Sequence, residues 1–113
     1  MKPASVDLVH LARYTGGDEA LNAEVLRLFD RQASEMVSRL GPILDARDAR
    51  TWAEIAHSLK GAARGIGAFA LADAAAFAEP IDPANAAHAL PALLALREEA
   101  EAVQTFIQRY LEN

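Results

Sequence analysis

Within Ala56-His57-Ser58-Leu59-Lys60-Gly61-Ala62-Ala63, an imidazole, an ammonium and a glycine fall within about one helical turn of each other. At about 100° per residue, Trp52, Ile55, Ala56, Leu59, Ala63 and Ile66 gather on one side of a helix and His57 points to the other. Lys60 and Gly61 follow His57 at i+3 and i+4, Ala53 precedes it at i−4, and Arg64 lies two turns on at i+7. A glycine inside a helix costs roughly 1 kcal/mol relative to alanine. Gly61 beside an outward histidine therefore marks a place where another backbone comes close. The chemistry this favours is nucleophilic: neutral imidazole attacks a phosphoryl group, and a nearby ammonium such as Lys60 stabilises the charge it brings.

Other chemistries fit less well. Glu54-x-x-His57 has the spacing of bundle metal sites, but it occurs once and faces away from the apolar stripe, so no metal site is expected. Ser58 adjoins His57 and points about 100° away from it, which rules out a serine nucleophile oriented by that imidazole. Gly61-Ala62-Ala63-Arg64-Gly65 lies in a helix and is not a phosphate loop. Of the three histidines, His10 and His88 have no acid or base at helical spacing and read as ordinary surface or boundary residues.

The elements that must hold His57 can be read from composition and periodicity. The chain has 113 residues, the size of one domain, and 1–113 is taken as a single unit. Its apolar fraction is 52 %, rich in alanine and leucine and poor in β-branched and aromatic residues, which predicts an all-α fold. With no cysteine, disulfides, thiolate zinc sites and thiol chemistry are excluded. A net charge of −5 with eleven scattered Lys and Arg residues argues against nucleic acid as a partner. The opening Met1-Lys2-Pro3-Ala4-Ser5-Val6-Asp7 has no apolar h-region, and no stretch suits a membrane span, so a soluble cytoplasmic protein is expected.

A short helix is predicted over 5–14, with Ser5 as N-cap and Asp7 in its first turn, followed by a break at Thr15-Gly16-Gly17 and a new N-cap at Asp18. The next helix carries Leu21, Val25, Leu28, Phe29, Gln32, Met36, Val37 and Leu40 on its inner face. Gly41-Pro42 either ends or kinks it, since Ile43 and Leu44 keep its register. Asp48 is the preferred cap of the histidine helix, with Thr51-x-x-Glu54 as a competing capping box, and Gly65 and Gly67 bracket its end near Ile66. A helix over 68–79 puts Leu71, Ala74, Ala75 and Ala78 inward, with Phe69 and Phe77 on another stripe, expected to be partly buried. Asp82-Pro83 starts the last helix, Pro91 either splits or kinks it, and Leu93, Leu94, Leu96, Ala100, Val103, Phe106, Ile107, Tyr110 and Leu111 form its inner face. Short connections predict an antiparallel four-helix bundle with a short N-terminal covering helix.

The motif Ala56-His57-Ser58-Leu59-Lys60-Gly61-Ala62-Ala63, with Ile66-Gly67-Ala68, Leu71 and Glu79 downstream and Tyr14-Thr15-Gly16-Gly17-Asp18 and Leu28-Phe29 upstream, resembles the histidine-containing phosphotransfer (HPt) domain. The resemblance covers residues 5–111. It implies a phosphocarrier rather than an enzyme, in which His57 accepts a phosphoryl group at Nε2, Lys60 stabilises it and Gly61 admits the partner. The implied partners are response regulator receiver domains and a hybrid histidine kinase, with Mg²⁺ and catalytic carboxylates supplied by the receiver and no cofactor on this chain, a monomer. Arg50 and Arg64, on the side of His57, then offer a basic patch to an acidic receiver face, next to Ala53. The alternative is a module that docks on a receiver or kinase without phosphoryl turnover. Some family members have a glutamine at the position of Glu79, where it hydrogen-bonds near the histidine; an acid there either repels phosphate or is simply solvated, and Glu79 is not counted as a site residue. Ala74 and Ala78 stand where the family usually has larger apolar residues.

Overall fold

A computed structural model describes residues 4–112, and among them every regular element is a helix. They are α1 (Leu8–Thr15), α2 (Glu19–Ala46), α3 (Ala49–Ile66), α4 (Phe69–Ala78) and α5 (Ala86–Glu112). The four longer helices form a ring of contacts, α2 and α4 each packing on both α3 and α5, and α1 lies against α2 and α3.

Local chemistry sets most of the boundaries. The Asp7 carboxylate caps α1 by accepting from the N–H groups of Val9 and His10 at 3.0 and 3.2 Å, so the cap is Asp7 rather than Ser5. Gly16 ends α1 in the left-handed conformation, and Asp18 caps α2 through the Leu21 N–H at 3.0 Å. Asp48 caps α3, accepting from the Thr51 N–H at 3.1 Å and the Thr51 hydroxyl at 2.6 Å; Thr51 is thereby committed and the competing capping box does not form. Gly67 closes α3 at φ 82°, and a Cβ there would stand 2.7 Å from the Asp7 carbonyl oxygen. The Asp7 N–H donates back to the Gly67 carbonyl at 3.0 Å, pinning the N-terminal segment to the α3–α4 junction.

Both internal prolines are absorbed. α2 runs through Pro42 to Ala46 and α5 through Pro91 to Glu112. Each ring sits on the exposed side, while Ile43, Leu44, Ala92 and Leu93 pack on the core, and tertiary packing outweighs the lost backbone bond. The last helix starts later than Asp82-Pro83. Asp82 instead organises a turn, its carboxylate accepting from the Ala84 N–H at 2.9 Å, and the Asn85 carbonyl takes the Ala89 N–H at 2.9 Å as the first bond of α5.

The core centres on Trp52, Leu26, Leu40, Leu59, Leu71, Leu93, Leu96 and Ile107, all below 2 % exposed. On α2 the buried stripe is Asn22, Leu26, Phe29, Ala33 and Leu40, while Leu21 and Leu28 face solvent, so the helix is rotated from the expected phase. A buried asparagine hides that phase. The Thr15 hydroxyl donates to Asn22 Oδ1 at 2.5 Å and the Asn22 amide donates to the Tyr110 hydroxyl at 3.2 Å, joining α1, α2 and α5. Leu94, expected inside, is exposed, as are Phe69 and Phe77, at 43 % and 68 %. On α4 the buried residues are Leu71, Ala72, Ala75 and Ala78, with Ala74 half-buried.

Candidate functional site

The α3 residues Trp52, Ile55, Ala56, Leu59, Ala63 and Ile66 are all buried, which fixes the rotation of the helix and turns His57 outward. Its side chain is 69 % exposed. Gly61 and Arg64 are exposed beside it and Ala53 is half-buried. A Cβ at Gly61 would meet nothing within 4 Å, so no internal packing demands the glycine. The space above it is open to another molecule.

Arg50 does not reach the imidazole: its Nε bonds Glu54 Oε1 at 3.1 Å, four residues along the same helix, and both side chains are well exposed. Glu54 is thus held by an arginine. Arg64 has no ion-pair partner shorter than 4.0 Å among the described residues. His10 packs edge-on against Tyr14 and Phe69, and His88 Nδ1 lies 2.9 Å from the Asn85 amide. Neither contacts His57 or the groups around it.

The residue that the sequence left aside is the one that joins the site. Glu79, just past the end of α4, reaches back to α3: its Oε1 accepts from Lys60 Nζ at 2.7 Å and its Oε2 lies 3.3 Å from His57 Nδ1. Glu79 is therefore paired with Lys60 and His57 rather than simply solvated. The Lys60 hydrogen bond, opposed by partial desolvation and helped by the charges of Lys60 and His57, holds the Glu79 carboxyl below its ordinary range. Because the folded value is the lower one, this pairing is intact above the usual carboxylate range and is lost as pH falls through the lowered value. Lys60 is only 20 % exposed, its stem lying along the protein and its ammonium committed to Glu79.

A second link sets where Glu79 stands. The buried Trp52 indole N–H donates to the carbonyl of Ala78 at 2.8 Å, one residue before Glu79. The Glu79 N–H bonds the Ala75 carbonyl at 2.9 Å. Trp52→Phe is expected to lower stability by roughly 1–3 kcal/mol, because the Ala78 carbonyl loses one of its two donors, keeping the Ile81 N–H at 3.1 Å, and the smaller ring leaves space in the core. Urea unfolding measures this, and an unchanged midpoint at unchanged slope would show that the bond contributes nothing.

A groove of about 730 Å³ lies elsewhere, between residues 4–9, Phe69 and Ala70 of α4, and Glu98, Glu99, Ala102 and Phe106 of α5. His57 does not line it. No three His, Asp or Glu side chains among the described residues are grouped to hold a metal ion.

The fold and the site together define a helical domain with an exposed imidazole backed by an acid and an amine. The family model of the Hpt domain matches residues 24–106, a span that holds His57, Lys60, Gly61 and Glu79, and the chain belongs to that family. Hpt domains are phosphocarriers rather than catalysts, take part in phosphotransfer in two-component signalling, and interact with receiver domains and kinases. Comparison with curated proteins and with solved structures gave no match. No described helix is long and apolar enough to cross a membrane.

Proposed function

We propose that the chain is a phosphorelay intermediate in which His57 takes a phosphoryl group from a receiver-domain aspartate, or from a hybrid histidine kinase, and donates it to another response regulator receiver. The observation that carries this reading is an exposed imidazole approached by the protein at one nitrogen only. Nδ1 meets Glu79, and Nε2 makes no hydrogen bond among the described residues. The lone pair of Nε2 attacks phosphorus, the N–P bond forms, the acyl-phosphate O–P bond breaks and the aspartate leaves as a carboxylate. Onward donation reverses these steps on a second receiver.

This chain contributes the nucleophile, the Lys60 ammonium and an open approach over Gly61. The Glu79 carboxylate beside His57 is already bound to Lys60, and in this reading the receiver supplies Mg²⁺ and the catalytic carboxylates, as the family resemblance implies. Ala53 and Arg64 flank the imidazole as partner contacts. Arg50 lies at the edge of that surface with its charge offset by Glu54, which makes Arg64 the stronger attraction for an acidic receiver face. The same reading takes the bundle as antiparallel, the domain as monomeric and cytoplasmic, and nucleic acid as no partner at a net charge of −5.

Incubation with a phosphorylated receiver domain tests the function. One phosphoryl group per chain is expected, labile to acid and stable to alkali as an N–P bond requires. An alkali-labile label, or none, would overturn the reading. Chemical-shift changes around His57 in a receiver titration without any label would instead support a docking module.

A further inference from the structure

Glu79 places a negative charge where a phosphoryl group must later be accommodated. With the imidazole in its neutral, nucleophilic form, it, the Lys60 ammonium and the Glu79 carboxylate sum to zero charge, and the ammonium nearest the ring is bound to Glu79 at 2.7 Å. The carboxylate is ionised at neutral pH, since its pKa lies below the ordinary range. We propose that Glu79 is a positioning residue with two opposed effects, holding the Nδ1–H tautomer that frees Nε2 to attack, and competing with the phosphoryl group for Lys60 so that phosphohistidine is short-lived and readily passed on. The proposal rests on the phosphotransfer reading and assigns that site a direction: donation over storage.

The two effects follow from the geometry. A carboxylate 3.3 Å from Nδ1 accepts a hydrogen bond from an N–H at that nitrogen, and in the neutral ring only the Nδ1–H tautomer leaves a lone pair on Nε2. When Nε2 attacks, positive charge spreads over the ring and Glu79 stabilises it, which speeds uptake. Once the phosphoryl group is bound, Glu79 keeps Nδ1 protonated, so imidazole departs as a neutral leaving group, and it claims part of the Lys60 charge. Both raise the tendency of the N–P bond to break. The Trp52 hydrogen bond to Ala78 holds the backbone at the end of α4 close to α3, which keeps the Glu79 carboxylate within reach of both Lys60 and His57.

Glutamine and alanine at position 79 separate the effects. Glutamine keeps an oxygen that accepts from Nδ1–H but carries no charge; alanine removes both. Long-range ¹H–¹⁵N correlation spectra of the imidazoles, recorded without any phosphoryl donor, should show the Nδ1–H tautomer for His57 in the native protein and in Glu79→Gln. Glu79→Ala should return His57 to the Nε2–H form that neutral histidine favours in water. The proteins are then labelled with potassium phosphoramidate, a donor needing no partner: Nε2 bonds phosphorus, the P–NH₂ bond breaks and ammonia leaves. The half-life of phosphohistidine in Glu79→Gln is expected to be roughly two- to fivefold longer than in the native protein, the scale of a partly screened charge pair. Equal or shorter half-lives in Glu79→Gln, or an Nε2–H tautomer in the native protein, would overturn the proposal. Failure of a phosphorylated receiver to label the native protein would strike at the phosphotransfer reading instead, and the tautomer spectra would still decide the role of Glu79.

Discussion

A His57→Gln protein is expected to take up no phosphoryl group from a phosphorylated receiver while folding as stably as the native chain. Only three imidazoles exist in the sequence, and the other two are engaged elsewhere, His10 against the rings of Tyr14 and Phe69 and His88 with Asn85. Uptake should therefore fall to background rather than to a fraction. Stability should hardly move, because the replaced side chain is 69 % exposed and the new amide can still donate to Glu79. An exposed substitution of this kind changes stability by about 0.5 kcal/mol at most. Label retention together with thermal unfolding by circular dichroism gives both readings from one preparation. Undiminished labelling would move the acceptor to another residue and remove His57 from the chemistry.

Gly61→Leu should produce the opposite separation, between chemistry and docking. A Cβ at position 61 meets nothing within 4 Å, so a larger side chain there starts out into open space. Helix propensity improves by up to about 1 kcal/mol on replacing glycine, so the variant should be no less stable. A receiver approaching His57 would meet the new side chain first. A displacement of about 1 Å in the reacting atoms costs on the order of 10²-fold in rate, and transfer from a phosphorylated receiver should fall by at least about that factor. Labelling by phosphoramidate, which needs no close backbone approach, should change by less than about threefold. If both donors slow equally, Gly61 supports the imidazole rather than the partner. If neither slows, the receiver does not pass over this turn.

Some of this protein can be read locally. The Asp18 and Asp48 caps and the end of α3 at Gly67 each depend on residues a few positions apart, and the structure has them as the spacing predicts. The same holds for His57. Its outward direction follows from Trp52, Ile55, Leu59 and Ile66 at helical intervals, and all four are buried. Lys60, Gly61 and Arg64 share its neighbourhood for the same reason. The alanine- and leucine-rich composition was enough for an all-helical chain, since it favours helices at every segment.

Decisions between segments needed the packed molecule. Two apolar phases compete on α2, and only its docking on α3 and α5, with buried Asn22 satisfied by Thr15 and Tyr110, chooses the one that exposes Leu21 and Leu28. Pro42 and Pro91 are local breakers, yet core contacts on either side carry both helices through them. At the site, periodicity placed an ammonium one turn from an imidazole as though free to meet a phosphoryl group. Packing decided otherwise: the α3–α4 turn folds Glu79 back over α3, and the Trp52 bond to Ala78 holds the end of α4 close enough to keep it within reach of His57 and Lys60. Spacing along one helix sets the direction of a side chain about that axis, but a contact between helices depends on where the second helix comes to rest, and the buried surfaces of both settle that together.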